Sequence, residues 1–137
     1  MADDDCIFCK IVAGELPAQK VDEDENTIAF MDINPWTRGH ALVIPKEHTR
    51  NLWEAPQGVL HSTIDMAQKV ARRQRDALGC DGVNLLNSTE PAAWQTVFHY
   101  HVHVIPRYED DPLQLPGQPQ EADNDELAKV AEELRDG

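Results

Sequence analysis

The sequence predicts an α+β domain with a mainly antiparallel sheet, one long helix and short terminal helices. Strand-forming segments are grouped into hairpins, and one dominant helical segment stands between the groups. The chain of 137 residues is long enough for a single hydrophobic core. We therefore expect one domain over residues 1–137.

A short helix followed by three strands is expected in the N-terminal third. Residues 6–13 carry apolar side chains at helical spacing, and Gly14 can end this helix. Residues 19–21 and 27–33 have the character of two strands joined by an acidic turn. Residues 41–44 form a short apolar block, which predicts a buried strand.

The clearest helix spans residues 56–78. Pro56 suits its first turn, and Gly79 suits a left-handed cap after its last turn. The apolar positions follow the 3.6-residue period of an amphipathic helix. These side chains are expected to face the core: Leu60, Ile64, Ala67, Ala71 and Leu78.

Two further strands are expected at residues 83–86 and 97–105. Residues 110–122 are rich in Pro, Gln and Gly, which indicates an extended loop. Residues 125–134 have the pattern of a short amphipathic helix. Its apolar side chains are expected to face inward: Leu127, Val130, Ala131 and Leu134.

The formal charge of −13, from 25 acidic and 12 basic residues, argues against nucleic acid as a partner. Binding to a phosphate backbone normally rests on clustered Lys and Arg. Acidic runs such as residues 3–5 and 22–25 are typical of solvated surface, and local donors can still bind a small phosphorylated ligand. Because no apolar run suits a membrane span or a signal peptide, we expect a cytoplasmic protein without a membrane partner.

Three histidines alternate with apolar residues in the segment 97–105. Because strand side chains alternate between faces, His99, His101 and His103 are expected on one face, about 7 Å apart along the strand. The residues between them would supply a core face: Phe98, Tyr100, Val102 and Val104. Each buried imidazole needs partners for two ring nitrogens, so packing alone is a poor explanation for three of them.

Strand spacing alone leaves the chemistry of these histidines open. His-x-His is a spacing of metal ligands, so a metal hydrolase is one reading. A neutral imidazole, with an ordinary pKa of about 6.5, is also a nucleophile at neutral pH. Cys6 and Cys9 form a Cys-x-x-Cys pair, which in a cytosolic protein suggests a metal site or redox thiols.

The sequence around the histidines resembles the histidine-triad (HIT) family. The resemblance rests on His-Tyr-His-Val-His-Val-Ile at 99–105 and on further blocks in the family's order. These blocks are Cys-Ile-Phe-Cys-Lys-Ile at 6–11, Phe-Met-Asp-Ile-Asn-Pro at 30–35, Arg-Gly-His-Ala-Leu-Val-Ile-Pro-Lys-Glu-His at 38–48 and Ala-Trp-Gln-Thr-Val-Phe-His at 93–99. Together they place the domain core at about residues 6–108, with an extended loop and tail at 109–137.

The resemblance implies a hydrolase or transferase that acts at the α-phosphate of a purine nucleotide. The substrate would be a phosphoramidate, an adenylate or a dinucleoside polyphosphate. His101 matches the nucleophile that forms a covalent nucleotidyl-histidine, and His103 and His40 match the other histidines of the phosphate site. A nucleotide-binding regulator with incidental hydrolysis is the alternative. Family members usually form homodimers, so a homodimer is expected.

The same matches imply a nucleotide-binding site. Gln95 and Thr96 match positions that hydrogen-bond the phosphate, and Asp32 matches the acid that binds the ribose hydroxyls. Trp94 stands where the family often has glycine, and would narrow the site or contact the leaving group. The base pocket would be formed by Ile7, Phe8, Phe30 and Ile33; the remaining candidate phosphate ligands are Asn87 and Ser88.

Some family members with an N-terminal Cys-x-x-Cys hold structural zinc. The matching ligands here are Cys6, Cys9, His48 and His99. Two sulfurs and two nitrogens form a closed tetrahedral set, which suits a structural rather than a catalytic metal. Two reduced thiols without a metal are the alternative.

Overall fold

A computed structural model describes residues 5–137, so most of the acidic run at residues 3–5 lies outside the described residues. Helix α1 spans Ile7–Val12 and is followed by strands β1, Lys20–Glu23, β2, Thr27–Met31, and β3, Ala41–Pro45. The long helix α2 spans Gln57–Arg73 and continues as a π-helical turn, Gln74–Leu78. The chain then forms strand β4 (Gly82–Leu86) and a 3₁₀ turn (Pro91–Ala93). It ends with strand β5 (Val102–Arg107) and helix α3 (Asn124–Asp136).

The strands form one antiparallel sheet in the order β1-β2-β3-β5-β4. Strand β3 lies at its centre and is buried along its whole length. This sheet with one long helix confirms the predicted α+β class. Among the described residues, no helix combines the length and apolar character that crossing a membrane would need.

Two apolar layers cover the two faces of the sheet. The layer on the α2 side includes Met66, Ala67 and Val70 of the helix, packed on alternate residues of the strands. The layer on the α1 side includes Phe8 and Cys9. Cross-strand partners share a face of a sheet, and His103 of β5 pairs with Leu42 of the α1-side layer. The third histidine of the triad therefore lies on the face opposite the long helix.

The ends of α2 and its buried stripe differ slightly from the prediction. Pro56 is the N-cap residue rather than a residue of the first turn, while Gly79 is left-handed with φ +67° as predicted. Ile64 is 48% exposed instead of buried, whereas Thr63 and Met66 are fully buried. The apolar face of the helix is wider than its contact with the sheet, so periodicity alone did not locate the buried stripe.

Strand β5 begins at Val102, five residues later than predicted. Before that point the backbone groups bond outside the sheet: the His99 carbonyl accepts from the His101 ring, and the Tyr100 N–H donates to the Thr49 carbonyl. Each backbone group takes one main partner, so these bonds replace a strand ladder. The rings of His101 and His103 accordingly approach to 5.2 Å between centroids, closer than an extended strand predicts.

Helix α3 forms at the predicted place, but its apolar side chains do not face inward. None of its residues is buried, and Leu134 is 76% exposed. The 3.6-residue period of an amphipathic helix marks an apolar face without showing which surface that face covers. The inward orientation predicted for Leu127, Val130, Ala131 and Leu134 is therefore wrong in this chain.

Candidate active site

A cavity of about 600 Å³ opens on the α1 side of the sheet, beside the start of β5. Most of the side chains expected in a nucleotide site line it: Ile7, Phe8, Phe30, Asp32, Ile33, Ser88, Trp94, Thr96, His101 and His103. A volume of this size suits a small organic ligand. The apolar side chains at one end and the histidines at the other give the cavity two chemically different parts.

The ring of His101 is held by its own backbone neighbourhood. Its Nδ1 lies 2.7 Å from the carbonyl oxygen of His99. Because a carbonyl oxygen only accepts hydrogen bonds, Nδ1 carries the proton and Nε2 keeps its lone pair in the neutral ring. Nε2 is thus the nitrogen left for the cavity that His101 lines. A neutral histidine in this tautomer has the lone pair that a nucleophile requires.

A second hydrogen-bonded chain runs through His40 and His103. The backbone N–H of Trp36 donates to His40 Nδ1 at 3.0 Å, so His40 carries its proton on Nε2. His40 Nε2 lies 2.9 Å from His103 Nδ1 and donates to it. A neutral His103 therefore carries its own proton on Nε2, the nitrogen available to the cavity. His40 is fully buried and does not line the cavity, so it acts on a ligand only through His103.

Burial keeps these rings neutral in the absence of a ligand. Desolvation lowers the pKa of His101, although its bond to the His99 carbonyl and the charge of Asp32 oppose the shift. Burial, with the neighbouring His101 and His40, lowers the pKa of His103 to about 4, and Asp32 again opposes it. Burial also lowers the pKa of His40. At neutral pH the cavity therefore presents a lone pair and an N–H donor side by side.

Asp32 lies between the histidines and the outer part of the cavity. Its Oδ1 accepts the backbone N–H of Asn34 at 2.8 Å, and its Oδ2 lies 3.5 Å from His40 Nε2 and 3.8 Å from His103 Nδ1. The predicted ribose ligand is therefore also the carboxylate nearest to both histidines. An acidic oxygen at this distance favours the protonated form of His103 once a ligand is bound.

Gln95 and Asn87 were expected to contact phosphate, but neither lines the cavity. The buried Gln95 side chain accepts from the backbone N–H of Glu90 and donates to the carbonyls of Arg50 and Val97. Asn87 Nδ2 donates to the carbonyl of His101 at 2.8 Å, which fixes the backbone of that residue. Both side chains hold the loop around the site, a role that depends on contacts distant in the sequence.

The loop before the triad contains two non-glycine residues with positive φ. Glu90 has φ +72° and Trp94 has φ +77°. Glu90 is fixed by a two-pronged pair with Arg50, at 2.7 and 2.9 Å, and by a bond from Asn51. Strained backbone of this kind persists only where the surrounding contacts over-determine it, and such residues cluster at functional sites.

The outer part of the cavity is built mainly from aromatic and aliphatic side chains. The rings of Phe8 and Phe30 meet edge to face at 5.7 Å, and Phe8 also contacts the His101 ring at 5.1 Å. Both Phe residues are buried, so each belongs to the core and to the cavity wall. Ile33 is 91% exposed at the rim. This arrangement offers an apolar slot for a planar ring beside the histidines.

Four potential metal ligands meet below this cavity. Cys6 Sγ and Cys9 Sγ lie 3.3 and 3.5 Å from His99 Nδ1, and His48 Nδ1 lies 3.2 Å from Cys9 Sγ and 3.3 Å from His99 Nδ1. These are about the edge lengths of a tetrahedron around zinc. His99 Nε2 donates to the Pro45 carbonyl at 2.8 Å, which leaves Nδ1 with the lone pair that a metal needs. The donor set therefore fits the structural zinc that the sequence implies.

Comparison with known proteins agrees with this geometry. A HIT-domain family model matches residues 13–110. This chain belongs to the HIT family. The Bacillus subtilis protein hit is 48% identical over 105 residues, 77% of this chain and 72% of that protein. The adenosine 5'-monophosphoramidase HNT1 of Saccharomyces cerevisiae is 38% identical over 130 residues, 94% of this chain and 80% of that protein.

Solved HIT structures share the fold. SMU.412c of Streptococcus mutans superposes with a TM-score of 0.94 at 44% identity, covering 98% of this chain and 86% of that chain. A zinc-bound histidine triad family protein from Mycobacterium smegmatis superposes with a TM-score of 0.78 at 41% identity, covering 96% of both chains. The five-stranded sheet with its long helix is therefore that of the HIT fold.

Sequence reasoning missed several walls of this HIT site. Leu16, Pro17 and Ala18 follow α1 and line the cavity, as does Trp36. Gly14 indicated only the end of the first helix, and nothing in the local pattern showed which surface the following residues would cover. Trp36 could have been identified as a candidate from the sequence. A tryptophan beside Pro35 in a polar stretch does not improve solubility, so its presence there indicates a contact.

Proposed function

We propose that this HIT protein is a hydrolase of nucleoside 5'-phosphoramidates that acts through a covalent nucleotidyl-histidine at His101. The observation that carries the proposal is the fixed tautomer of His101, whose Nδ1–H is bonded to the His99 carbonyl at 2.7 Å. This bond aims a lone pair into a nucleotide-sized cavity and stabilises the positive ring that forms on attack. The phosphoramidase activity named for the yeast relative supports the same assignment.

The proposed reaction consists of two displacements at the α-phosphorus. His101 Nε2 attacks the α-phosphorus, the P–N bond to the leaving amine breaks, and the amine takes a proton from the His103 imidazolium. Water then attacks the phosphorus, gives a proton back to His103, and the bond to His101 breaks to release the nucleotide. The imidazolium form of His103 that the first step requires carries a proton on Nδ1 and can no longer accept from His40. Asp32 Oδ2, 3.8 Å from His103 Nδ1 and 3.5 Å from His40 Nε2, would accept from both rings in that state. Asp32 and the charge of the bound phosphate both favour this form.

The charge of the cavity favours a phosphoramidate over a dinucleoside polyphosphate. Within the described part of the chain, no Lys or Arg lines the cavity. Hydroxyls of Ser88 and Thr96 and the ring N–H of His103 are the polar donors near the reacting histidines. Neutral donors suit a singly charged α-phosphate, whereas a polyphosphate leaving group would bring several uncompensated charges.

The nucleoside is assigned to the outer part of the same cavity. A purine would stack in the slot of Phe8, Phe30 and the rim residue Ile33, and the ribose hydroxyls would bind Asp32. Asp32 Oδ1 accepts the Asn34 N–H, and the carboxylate keeps further lone pairs that can accept from the hydroxyls. Ser88 and Thr96 would hold the phosphate between the sugar and His101.

Zinc in this protein is assigned a structural role. Cys6, Cys9, His48 and His99 would hold the ion, which would pin α1 to the sheet and supply no step of the reaction. The zinc-bound Mycobacterium smegmatis relative supports this assignment. Elemental analysis of the purified protein should give about one zinc per chain, and the Cys6→Ser/Cys9→Ser double variant should give none.

We assign the protein to the cytoplasm and infer that it forms a homodimer. Ile64 of α2 and Leu85 of β4 are 48% and 46% exposed and line one apolar surface with Val83 and Ala71. Strand β4 is also a sheet edge with open backbone groups, which a second copy can cover. Light scattering should report a dimer for wild type and a monomer for Ile64→Glu. A monomeric wild type would contradict the assignment.

The proposed function is tested by AMP release from adenosine 5'-phosphoramidate. Wild type should turn over, and His101→Ala should lose at least about 10³-fold in kcat. Mass spectrometry of wild type, denatured after brief mixing with the substrate, should show an adenylate that is absent from His101→Ala. Equal turnover by wild type and His101→Ala would exclude the nucleophile.

Two alternatives make different predictions in the same assay. A regulator with incidental hydrolysis would bind AMP tightly and turn over slowly even as wild type. A metal hydrolase would lose all activity on chelation and retain metal after Cys6→Ser/Cys9→Ser. The group of possible zinc ligands at Cys6, Cys9, His48 and His99 does not include His101, which argues against the metal hydrolase.

A further inference from the structure

The two hydrogen-bonded histidines of the site start from differently held backbone. The pairing of β3 with β5 begins at Ala41, opposite Val104, so Gly39 and His40 lie beyond the end of this ladder. His103 lies inside the ladder. The 2.9 Å hydrogen bond between His40 Nε2 and His103 Nδ1 therefore joins a ring from inside the ladder to a ring from outside it. Contacts other than the ladder must hold the backbone from which the His40 ring projects.

The side chain of Gln74 bridges the two backbones. Its Nε2 donates to the carbonyl of Gly39 at 3.0 Å and to the carbonyl of Val104 at 2.9 Å. Gly39 precedes His40 in the chain, and Val104 follows His103. The Gly39 carbonyl and the His40 N–H belong to one planar peptide unit, so the bond from Gln74 fixes the start of His40. One amide group thus ties together the peptide units beside both histidines.

Gln74 reaches this position from the face of the sheet opposite the cavity. It is the first residue of the π-helical turn that continues α2. π-helical turns are rare and are frequently found at functional sites. The same turn places Leu78 against Gly39, where a Cβ would overlap Leu78 Cδ1. Because Gly39 has no side chain, the turn can come close to the backbone that Gln74 holds.

Packing alone is a poor explanation for a glutamine at this position. The residue is 5% exposed, and its Oε1 is buried without a hydrogen-bond partner among the described residues. A buried acceptor without a partner destabilises the fold, and an apolar side chain of the same length would not have this acceptor. The glutamine is therefore better explained by the two carbonyls to which its N–H groups donate.

Other side chains hold the residues that precede Gly39. Thr37 Oγ1 donates to the Pro106 carbonyl at 2.6 Å, and the Tyr108 hydroxyl donates to the Arg38 carbonyl at 2.7 Å. These bonds fasten the segment to the end of β5 and to the chain after it. They act further from the histidine pair than the bond from the Gln74 amide, which acts on the residue next to His40.

We propose that Gln74 is a positioning residue of the site, which sets the distance between His40 Nε2 and His103 Nδ1 by holding the carbonyls of Gly39 and Val104. A hydrogen bond between rings weakens steeply as its angle departs from linearity. A displaced His40 would therefore no longer fix the tautomer of His103. The consequence for turnover rests on the proposed function, whereas the consequence for the tautomer does not.

The first test observes the rings without a substrate. Gln74→Met keeps the length of the side chain and removes both donors. Nitrogen NMR of the ligand-free protein should show the Nε2–H tautomer of His103 in wild type and a mixture of both neutral tautomers in Gln74→Met. Tyr108→Phe is the matched control, because it removes one bond to the Arg38 carbonyl of the same segment. It should keep the wild-type tautomer.

Gln74→Asn is the second variant for this test. It keeps an amide group but is one methylene shorter, so it cannot hold both carbonyls. It should also show the tautomer mixture, and it decides the question if Gln74→Met does not fold. A wild-type tautomer of His103 in the folded variants, or the same mixture in Tyr108→Phe, would overturn the inference.

The second test is a double-mutant cycle with His40, measured by AMP release from adenosine 5'-phosphoramidate. Gln74→Met should lower kcat about tenfold and change KM by less than about twofold, because proton transfer is impaired while binding is kept. In the His40→Ala background the same substitution should change kcat by less than about twofold, since the contact that it disturbs is already absent.

The two tests distinguish this inference from the proposed function. An equal loss of kcat with and without His40 would indicate a general loosening of the fold and would overturn the positioning role of Gln74. No AMP from wild type would overturn the proposed function. The tautomer of His103 in the ligand-free variants would then still decide whether Gln74 positions the histidine pair.

Discussion

His40 is a positioning residue in the proposed mechanism, because it contacts His103 and does not line the cavity. The Trp36 N–H fixes the His40 tautomer, and His40 in turn fixes that of His103. We expect His40→Ala to lower kcat by about 10²-fold with little change in KM, since proton transfer is lost while binding is kept. His40→Gln, whose amide can still donate to His103 Nδ1, should recover part of the loss.

Nitrogen NMR of the His103 ring provides the independent measurement. In wild type the ring should show the Nε2–H tautomer, and in His40→Ala a mixture of both. An unchanged tautomer with reduced kcat would contradict the positioning role of His40.

Gly39, immediately before His40, lies where any other residue would be strained. Its φ is +93°, and a Cβ there would overlap Leu78 Cδ1 and approach Pro106 Cγ to 3.3 Å. Gly39→Ala should lower the free energy of unfolding by about 1–2 kcal/mol for the backbone and by about 1–3 kcal/mol more for overpacking. Urea denaturation measures the loss.

Gly14 provides the matched comparison for that substitution. Its φ is +78°, but nothing lies within 4 Å of a Cβ placed there. Gly14→Ala should therefore show only the backbone cost of about 1–2 kcal/mol. Equal losses in the two variants would show that the contact with Leu78 relaxes freely.

The loop between β4 and β5 depends on Gln95 as an internal brace. Removing its buried amide leaves the Glu90 N–H and the carbonyls of Arg50 and Val97 without these partners. We expect Gln95→Ala to lower the free energy of unfolding by about 1–3 kcal/mol. Urea denaturation followed by tryptophan fluorescence measures this change.

Thr96→Ala is the control for the loop, because Thr96 is exposed and lines the cavity. It should stay within about 0.5 kcal/mol of wild-type stability and raise KM for the phosphoramidate. If Gln95→Ala keeps wild-type stability but binds phosphate more weakly, Gln95 hydrogen-bonds the phosphate, as the sequence resemblance implied.

The whole molecule should lose stability in mild acid because burial favours the neutral form of three histidines of the candidate site. His103 has a pKa of about 4 in the folded chain against an ordinary 6.5, so between these values the unfolded chain binds more protons. Stability contributed by this group is complete above pH 6.5 and declines as the pH falls toward 4, by up to about 1.4 kcal/mol per pH unit. The lowered pKa values of His40 and His101 act in the same direction.

Urea denaturation at pH 7.5, 6 and 5 tests this dependence. His103→Asn should show a shallower fall in stability over that range than wild type. Parallel curves for the two proteins would mean that other groups account for the acid sensitivity. Ion pairs such as that of Asp111 with Arg107 lose their contribution to stability only at lower pH, because the Arg107 guanidinium holds the pKa of Asp111 far below its usual range.

Much of the architecture could be predicted because it depends on local pattern. Apolar periodicity located the long helix and β3, and the spacing of His99, His101 and His103 with the flanking blocks indicated the family. The nucleophilic role of His101 stays a prediction. The strand that carries the triad was predicted to begin too early, since period-2 alternation cannot show that backbone groups at His99 and Tyr100 bond elsewhere. One-domain organisation over residues 1–137 stays a prediction.

The sequence by itself determined the family and the candidate site residues: a histidine triad, a Cys-x-x-Cys pair and an acid in the order of that family. Only the tertiary structure decided their states. Tautomers of His101 and His103 depend on a carbonyl two residues away and on a histidine 63 positions away. The tertiary structure also turned Gln95 inward and brought Gln74 of the π-helical turn to the backbone beside His40. Hydrogen-bond partners and cavity walls are contacts between distant segments, and local sequence pattern carries no information about distance in space.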